Sequence, residues 1–211
     1  MLNLPENFIQ NIILNQLNKS LLLFFCTISS LSITINAQEN LSVNSKILNE
    51  SKLSILGTSN VTDFECLYED NFEIDTLSHS LSLEQKKVLV SGDTLRLEIK
   101  NFDCGRRGIN KDFRNTLKSK DYPSIDVSIL SFAPSDSLLE EVNVLISLAG
   151  TEKKYILEFT SSYSSDGIVK IEGEQKLAMS DFNIDPPRAL FGLIKVQDEL
   201  TITFSLFLKT L

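Results

Sequence analysis

Along most of this chain, apolar residues recur at every second position. Leu95, Leu97 and Ile99 alternate with Thr94, Arg96, Glu98 and Lys100. Val142, Val144, Ile146 and Leu148 alternate with Asn143, Leu145 and Ser147, and Tyr155, Leu157 and Phe159 with Lys154, Ile156, Glu158 and Thr160. The longest run sets Leu200, Ile202, Phe204, Leu206 and Leu208 against Thr201, Thr203, Ser205, Phe207 and Lys209. Shorter stretches of the same kind lie at 52–56, 61–68, 87–90, 124–132 and 168–174. Successive side chains of a strand point to opposite faces, so a period of two predicts half-buried strands. Where both sets are apolar, as at Leu206-Phe207-Leu208, the alternation does not say which faces inward.

Turn residues separate the runs: Ser91-Gly92-Asp93, Ala149-Gly150 and Ser165-Asp166-Gly167. Many strands joined by short polar turns predict an all-β, mostly antiparallel barrel or sandwich. One segment breaks the period. Asn110 is placed to cap a helix running to Lys118, with Phe113 and Leu117 four apart on one face. Lys118 and Lys120 suit its C-terminal end, and Pro123 stops it and starts the next strand. A single short helix among many strands predicts a plug or flap over one barrel end.

Residues 1–37 read differently. Lys19 precedes an uncharged stretch from Ser20 to Gln38, whose apolar heart is Leu21-Leu22-Leu23-Phe24-Phe25-Cys26 and which passes through the small residue Ala37. A basic start, an apolar core and a small residue at the end predict a secretory signal peptide over 1–37. Thr27, Ser29, Ser30, Ser32 and Thr34 thin the run below what a membrane span needs. Residues 38–50 are polar and Asn-rich and read as a lead-in, which leaves 51–211 as one domain. No later segment is long and apolar enough to cross a bilayer. The location expected is periplasmic or secreted.

The chain has 211 residues and a net charge of −8, which removing one base and one acid with the leader leaves unchanged. Such a surface repels nucleic acid and anionic headgroups, so a nucleic-acid partner is not expected. Of three cysteines, Cys26 falls in the leader. Cys66 and Cys104 remain, and two cysteines in an exported domain predict one disulfide; two separate buried thiols are the alternative. Two cysteines and one histidine cannot supply the four ligands of a structural zinc site, and no cofactor motif is present.

Four stretches, taken in order, resemble the YceI family. They are residues 51–64, with the Gly57-Thr58-Ser59 turn and Val61-Thr62-Asp63-Phe64; residues 109–125, with the helix and a Tyr122-Pro123 step into a strand; the Leu148-Ala149-Gly150-Thr151-Glu152-Lys153-Lys154 turn; and residues 177–184 followed by Pro186-Pro187 and residues 196–200. The likeness extends over 51–211. It implies a lipocalin-like antiparallel barrel with an apolar interior and, for some members, the binding of polyisoprenoid chains. This chain has no Trp and lacks a His-Ser pair near its first strand, which is closer to a cysteine-bearing branch of that family.

A barrel of about eight strands either fills its interior with side chains or encloses one ligand. The residues expected to line a ligand are Phe64, Phe102, Phe132, Phe159, Phe191, Leu193 and Phe204. Phe191 and Leu193 belong to an apolar cluster after the stiff Pro186-Pro187 turn, read either as a gate at the barrel mouth or as a loop folded onto the core. Cys104-Gly105-Arg106-Arg107-Gly108 is either an anion hook or a plain turn with solvated arginines. His79, in Ser78-His79-Ser80, reads as a solvated turn residue. No nucleophile elbow or acid–base pair stands out, so no enzymatic activity is expected. The expectation is a binder of a long-chain isoprenoid or other apolar lipid. The alternative is a protein-interaction module with a filled core. Whether the chain acts singly or as a homodimer is left open.

Overall fold

A computed structural model of the chain describes residues 41–69, 77–84, 87–133, 140–189, 191 and 193–211. The expected leader, with Cys26, lies outside the described residues, as do Leu190 and Gly192 of the apolar cluster. The elements are β1 (Leu41–Ile47), β2 (Lys52–Ser59), β3 (Phe64–Tyr68), β4 (Leu77–Glu84), β5 (Lys87–Gly92), β6 (Leu95–Glu98), β7 (Phe102–Asp103), α1 (Arg107–Thr116), β8 (Ser124–Phe132), β9 (Glu140–Leu148), β10 (Thr151–Tyr163), β11 (Ile168–Ala178), β12 (Arg188–Ala189) and β13 (Ile194–Thr210).

Their pairings reduce to eight wall strands. β1 and β2 both run antiparallel to β13, with Ile47 opposite Leu208 and Leu53 opposite Phe204, so together they make one strand interrupted at 48–51. The interruption stays tied to β13: Leu48 N–H donates to the Phe207 carbonyl, and Phe207 N–H donates to the buried Ser51 hydroxyl. β3 pairs with β2 and β4 with β1, which makes the second wall strand. β5 pairs with β4, β7 with β3, and both β5 and β6 with β8, which makes the third. β8, β9, β10, β11 and β13 follow, each antiparallel to the one before. Ser45 opposite Thr210 closes the ring. The order around the barrel is the order in the sequence, which is the up-and-down, lipocalin-like arrangement.

Two elements, each half of a wall strand, were not visible in the alternation. The polar lead-in forms β1, and Ser78-His79-Ser80 lies inside β4 rather than in a turn. In both segments most outward positions are Ser or Asn (Ser42, Asn44, Ser78, Ser80 and Ser82), residues that mimic loop composition, while Leu41, Val43 and Ile47 or Leu77 and Leu81 hold the inward period.

The inward face follows from register. Val169, Ile171, Gly173, Gln175 and Leu177 of β11 stand opposite Leu208, Leu206, Phe204, Ile202 and Leu200 of β13. Leu177, Leu200, Ile202, Leu206 and Leu208 join the core cluster, whereas Lys170, Glu172, Glu174 and Lys176 fall on the other face. Phe207 is therefore outside, opposite Lys170, whose ammonium lies 5.6 Å from the ring centroid.

Two glycines are required by geometry. Ala149 (φ 50°) and Gly150 (φ 81°) form the two-residue turn between β9 and β10, a hairpin that needs positive φ at both positions. At Gly173 a Cβ would sit 2.5 Å from the Glu158 carbonyl oxygen and 2.5 Å from Phe204 Cζ. Because one obstacle is backbone, Gly173→Ala is expected to lower unfolding free energy by about 1–3 kcal/mol through overpacking. Gly108→Ala, in open space on α1, is the control and should not destabilise. Equal urea midpoints for the two variants would contradict the close approach.

α1 closes one end of the ring. It begins at Arg107, three residues before the expected cap, and Asn110 has a different role. Its Oδ1 accepts from Cys104 N–H at 2.6 Å and its Nδ2 donates to Asp103 at 2.6 Å, so the side chain brackets the turn that leads into the helix. Asn110 and the Gly105 N–H together hold the Asp103 carboxyl below the usual carboxylate range. Lys118, at φ 54°, takes the left-handed conformation that ends the helix.

Candidate functional site

The barrel interior is not uniform along its axis. At the α1 end it is packed solid. Leu97, Ile99, Phe102, Leu117, Ile125, Ile146, Leu148, Leu177, Met179, Phe182 and Ile184 are buried there. Phe102 packs edge-on to Tyr68 at 5.0 Å and against Phe113 of α1 at 5.4 Å. The same register sets Leu67 opposite Asp103 and Tyr68 opposite Phe102, which brings Cys66 opposite Cys104; the expected disulfide joins them. Tyr155 stacks with Phe182 and donates its hydroxyl to Asp181 Oδ2 at 2.8 Å, tying β10 to the 3-10 turn Met179–Phe182. Burial, reinforced by that carboxylate, pushes the Tyr155 hydroxyl far above its ordinary pKa, so it serves as a fixed donor.

Towards the other end, inward positions lose burial. On β9 the sequence runs from buried Leu148, Ile146 and Val144 to half-buried Val142 and Glu140. On β10, β11 and β13, Leu157, Phe159, Ile171, Phe204, Leu206 and Leu208 are all half-buried. Ile129 of β8, opposite buried Val144, is 39% exposed. An inward side chain of a closed ring has its own backbone between it and the outside. Its side-chain exposure is therefore towards the ring's interior or its open end. This half of the barrel is lined with apolar groups of mixed burial: Ile47, Val88 and Val169 are buried, and the residues named above are only partly covered.

The seven residues expected to line a ligand separate into three groups. Phe159 and Phe204 stand on either side of Gly173 on the half-buried wall, and Phe132 faces inward opposite Val88 and Val142. Phe64 lies over Gly57 and packs on the core, and Phe102 is a fully buried part of the packed end. Phe191 and Leu193 are exposed on the surface, in the loop between β12 and β13 and not on the inner wall. That loop is pinned by Asn60, which donates to the Leu193 carbonyl at 2.9 Å and accepts from Lys195 N–H at 2.8 Å. Arg106 and Arg107 are exposed at the start of α1, away from the half-buried wall.

Three polar inward groups were missed. Glu140 continues the inward parity of Val142 one step back, stands opposite Phe159, and accepts a hydrogen bond from the Ser161 hydroxyl. His79 has inward parity on β4, with Nε2 3.1 Å from the Asp93 carbonyl oxygen. Extending the alternation past Val142 would have located Glu140; Ser161 continues the parity of Phe159.

These features define a lipocalin-like, up-and-down barrel with one packed end and one lined end. Among solved structures, Burkholderia cenocepacia BcnA superposes with a TM-score of 0.58 at 17% identity, over 75% of this chain and 96% of that one. A polyisoprenoid binding domain from Saccharophagus degradans, implicated in plant cell wall breakdown, superposes at 0.56 and 12% identity, over 79% and 98%. A Campylobacter jejuni YceI protein is similar at 0.47 and 15% identity, over 71% and 82%, a likeness too loose to carry an argument. No family model matches the sequence, and no curated protein does. The chain shares the fold of the first two, and the lipocalin-like antiparallel barrel expected from the four sequence stretches is the fold found.

Proposed function

We propose that this chain is a non-enzymatic carrier that holds one long apolar lipid, a polyisoprenoid or similar chain, inside its barrel. The observation that carries the reading is the half-buried apolar wall formed by Leu157, Phe159, Ile171, Phe204, Leu206 and Leu208. Covering such groups with hydrocarbon gains about 0.8 kcal/mol per methylene before ordering costs, with no polar chemistry needed. The Saccharophagus degradans domain with the same fold is named for polyisoprenoid binding, which supports the same ligand class here. The leader pattern of residues 1–37 and the Cys66–Cys104 bond both suit export to the periplasm or beyond the cell.

The test combines extraction with a filling variant. Organic extracts of protein purified from an envelope-bearing host are expected to contain a stoichiometric long-chain lipid by mass spectrometry. Leu206→Trp should occupy the space, leave the urea midpoint nearly unchanged, and weaken lipid uptake by about tenfold or more, equivalent to about 1.4 kcal/mol. In a filled core the same tryptophan would overpack and cost about 1–3 kcal/mol. An empty protein whose Leu206→Trp variant is destabilised would sink the carrier and favour the protein-interaction module.

A further inference from the structure

Among the described residues, the lined end of the barrel carries one carboxylate with inward parity. Glu140 opens β9 with the inward parity of Val142, stands opposite Phe159, and takes the Ser161 hydroxyl from the same face of β10. Apart from Ser161, its nearest described inward neighbours on the two strands, Val142, Leu157 and Phe159, are apolar. Among the described inward positions of this end there is no lysine or arginine: Lys87, Lys170 and Lys209 all have outward parity. One hydrogen bond uses only part of a carboxylate's capacity of about four. An arriving hydroxyl would supply a further donor. A phosphate or diphosphate would instead set like charges together, with no lysine or arginine at the described inward positions of this end to offset them.

We propose that Glu140 and Ser161 form a headgroup-selecting site that accepts a long apolar chain ending in an uncharged hydrogen-bond donor and rejects its phosphorylated form. The proposal rests on the carrier reading and adds the chemistry of the ligand's polar end. The lipid lies with its tail towards the packed end and its hydroxyl at the Glu140–Ser161 pair. The net charge of −8 works in the same direction, since it disfavours approach of an anionic lipid.

Displacement of the fluorescent apolar probe N-phenylnaphthylamine from the delipidated full chain tests this. Geranylgeraniol and geranylgeranyl diphosphate differ only at the head, and octadecanol tells a general long-chain alcohol from an isoprenoid one. Geranylgeraniol is expected to displace the probe at about tenfold or more lower concentration than the diphosphate, a gap of about 1.4 kcal/mol or more. Glu140→Gln, nearly isosteric, should close most of that gap, and Glu140→Lys should invert it. Ser161→Ala, which leaves the carboxylate, should weaken the alcohol a few-fold and leave the diphosphate unchanged, narrowing the gap without closing it, an outcome a merely structural pair would not give. If the diphosphate competes as well as the alcohol, or the gap survives both Glu140 variants, the headgroup site is refuted and the carrier stands. If the probe does not bind and no lipid is taken up, the carrier reading fails and takes this site with it.

Discussion

Replacing Cys66 and Cys104 together with alanine is expected to lower the unfolding free energy by about 4 kcal/mol. The residues are 38 apart in sequence, and releasing a loop of that length restores about this much chain entropy to the unfolded state. The position adds to the effect. β3 and β7 meet through only two residue pairs, Leu67 with Asp103 and Tyr68 with Phe102, so the disulfide joins two wall strands where the ladder between them is shortest. Both sulfurs are in the buried cluster, and truncation to alanine removes packing as well as the link. Urea unfolding of the oxidised wild type, the reduced wild type and the double variant measures the loss. Coincident midpoints for oxidised and reduced protein would show that the bond does not hold this seam.

The second large effect is expected at Phe102. Its ring is 1% exposed and is held between Tyr68 of β3 and Phe113 of α1. Phe102→Ala should cost about 3–5 kcal/mol, as buried aromatic truncations do. The ring is also one of the contacts through which α1 seats on the barrel, by way of Phe113. Amide exchange across 107–116 should therefore rise more than exchange in β10 or β11, even under conditions where the barrel stays folded. A loss below about 1 kcal/mol would mean that the neighbours close the cavity, and the packed end would then be softer than its burial indicates. Contrast with Phe159 is informative: the same truncation on the half-buried wall removes fewer contacts and should cost clearly less.

What the sequence revealed and what it hid follow from the physics of strands. Alternation finds a strand whose two faces differ in polarity, and β6, β9, β10 and β13 differ strongly. β1 and β4 differ as well, but their outward serines and asparagines have the composition of loops, and the short apolar period beneath was passed over. Alternation assigns a face and says nothing about depth along the barrel axis. That is why Phe102 and Phe159 looked equivalent, although one is fully buried in the closed end and the other is half-buried on the opposite half of the wall. At Leu206-Phe207-Leu208 only the register, which sets Phe207 opposite Lys170, separates inside from outside. Phe191 and Leu193 were read as a gate at the barrel mouth or a loop folded onto the core, and the structure exposes both on the surface of a loop that Asn60 anchors. Glu140 went unnoticed because a charged residue at the edge of a strand is ordinarily assigned to solvent.

The ring's closure governs how the barrel can be made. Every wall strand but one pairs with its successor in the chain, and such contacts need little loop closure to form. The exception joins β1 and β2 to β13, with Ser51 and Phe207 lying 156 residues apart at the contact. A meander of hairpins can therefore assemble early, but it remains an open sheet until the two distant edges meet, and non-local pairing is the slow kind. During that interval both edges present unpaired backbone groups beside an apolar face, the features that recruit other chains. Refolding yield should accordingly be limited by encounters between half-made barrels, and it will fall with protein concentration well before the finished fold loses any stability.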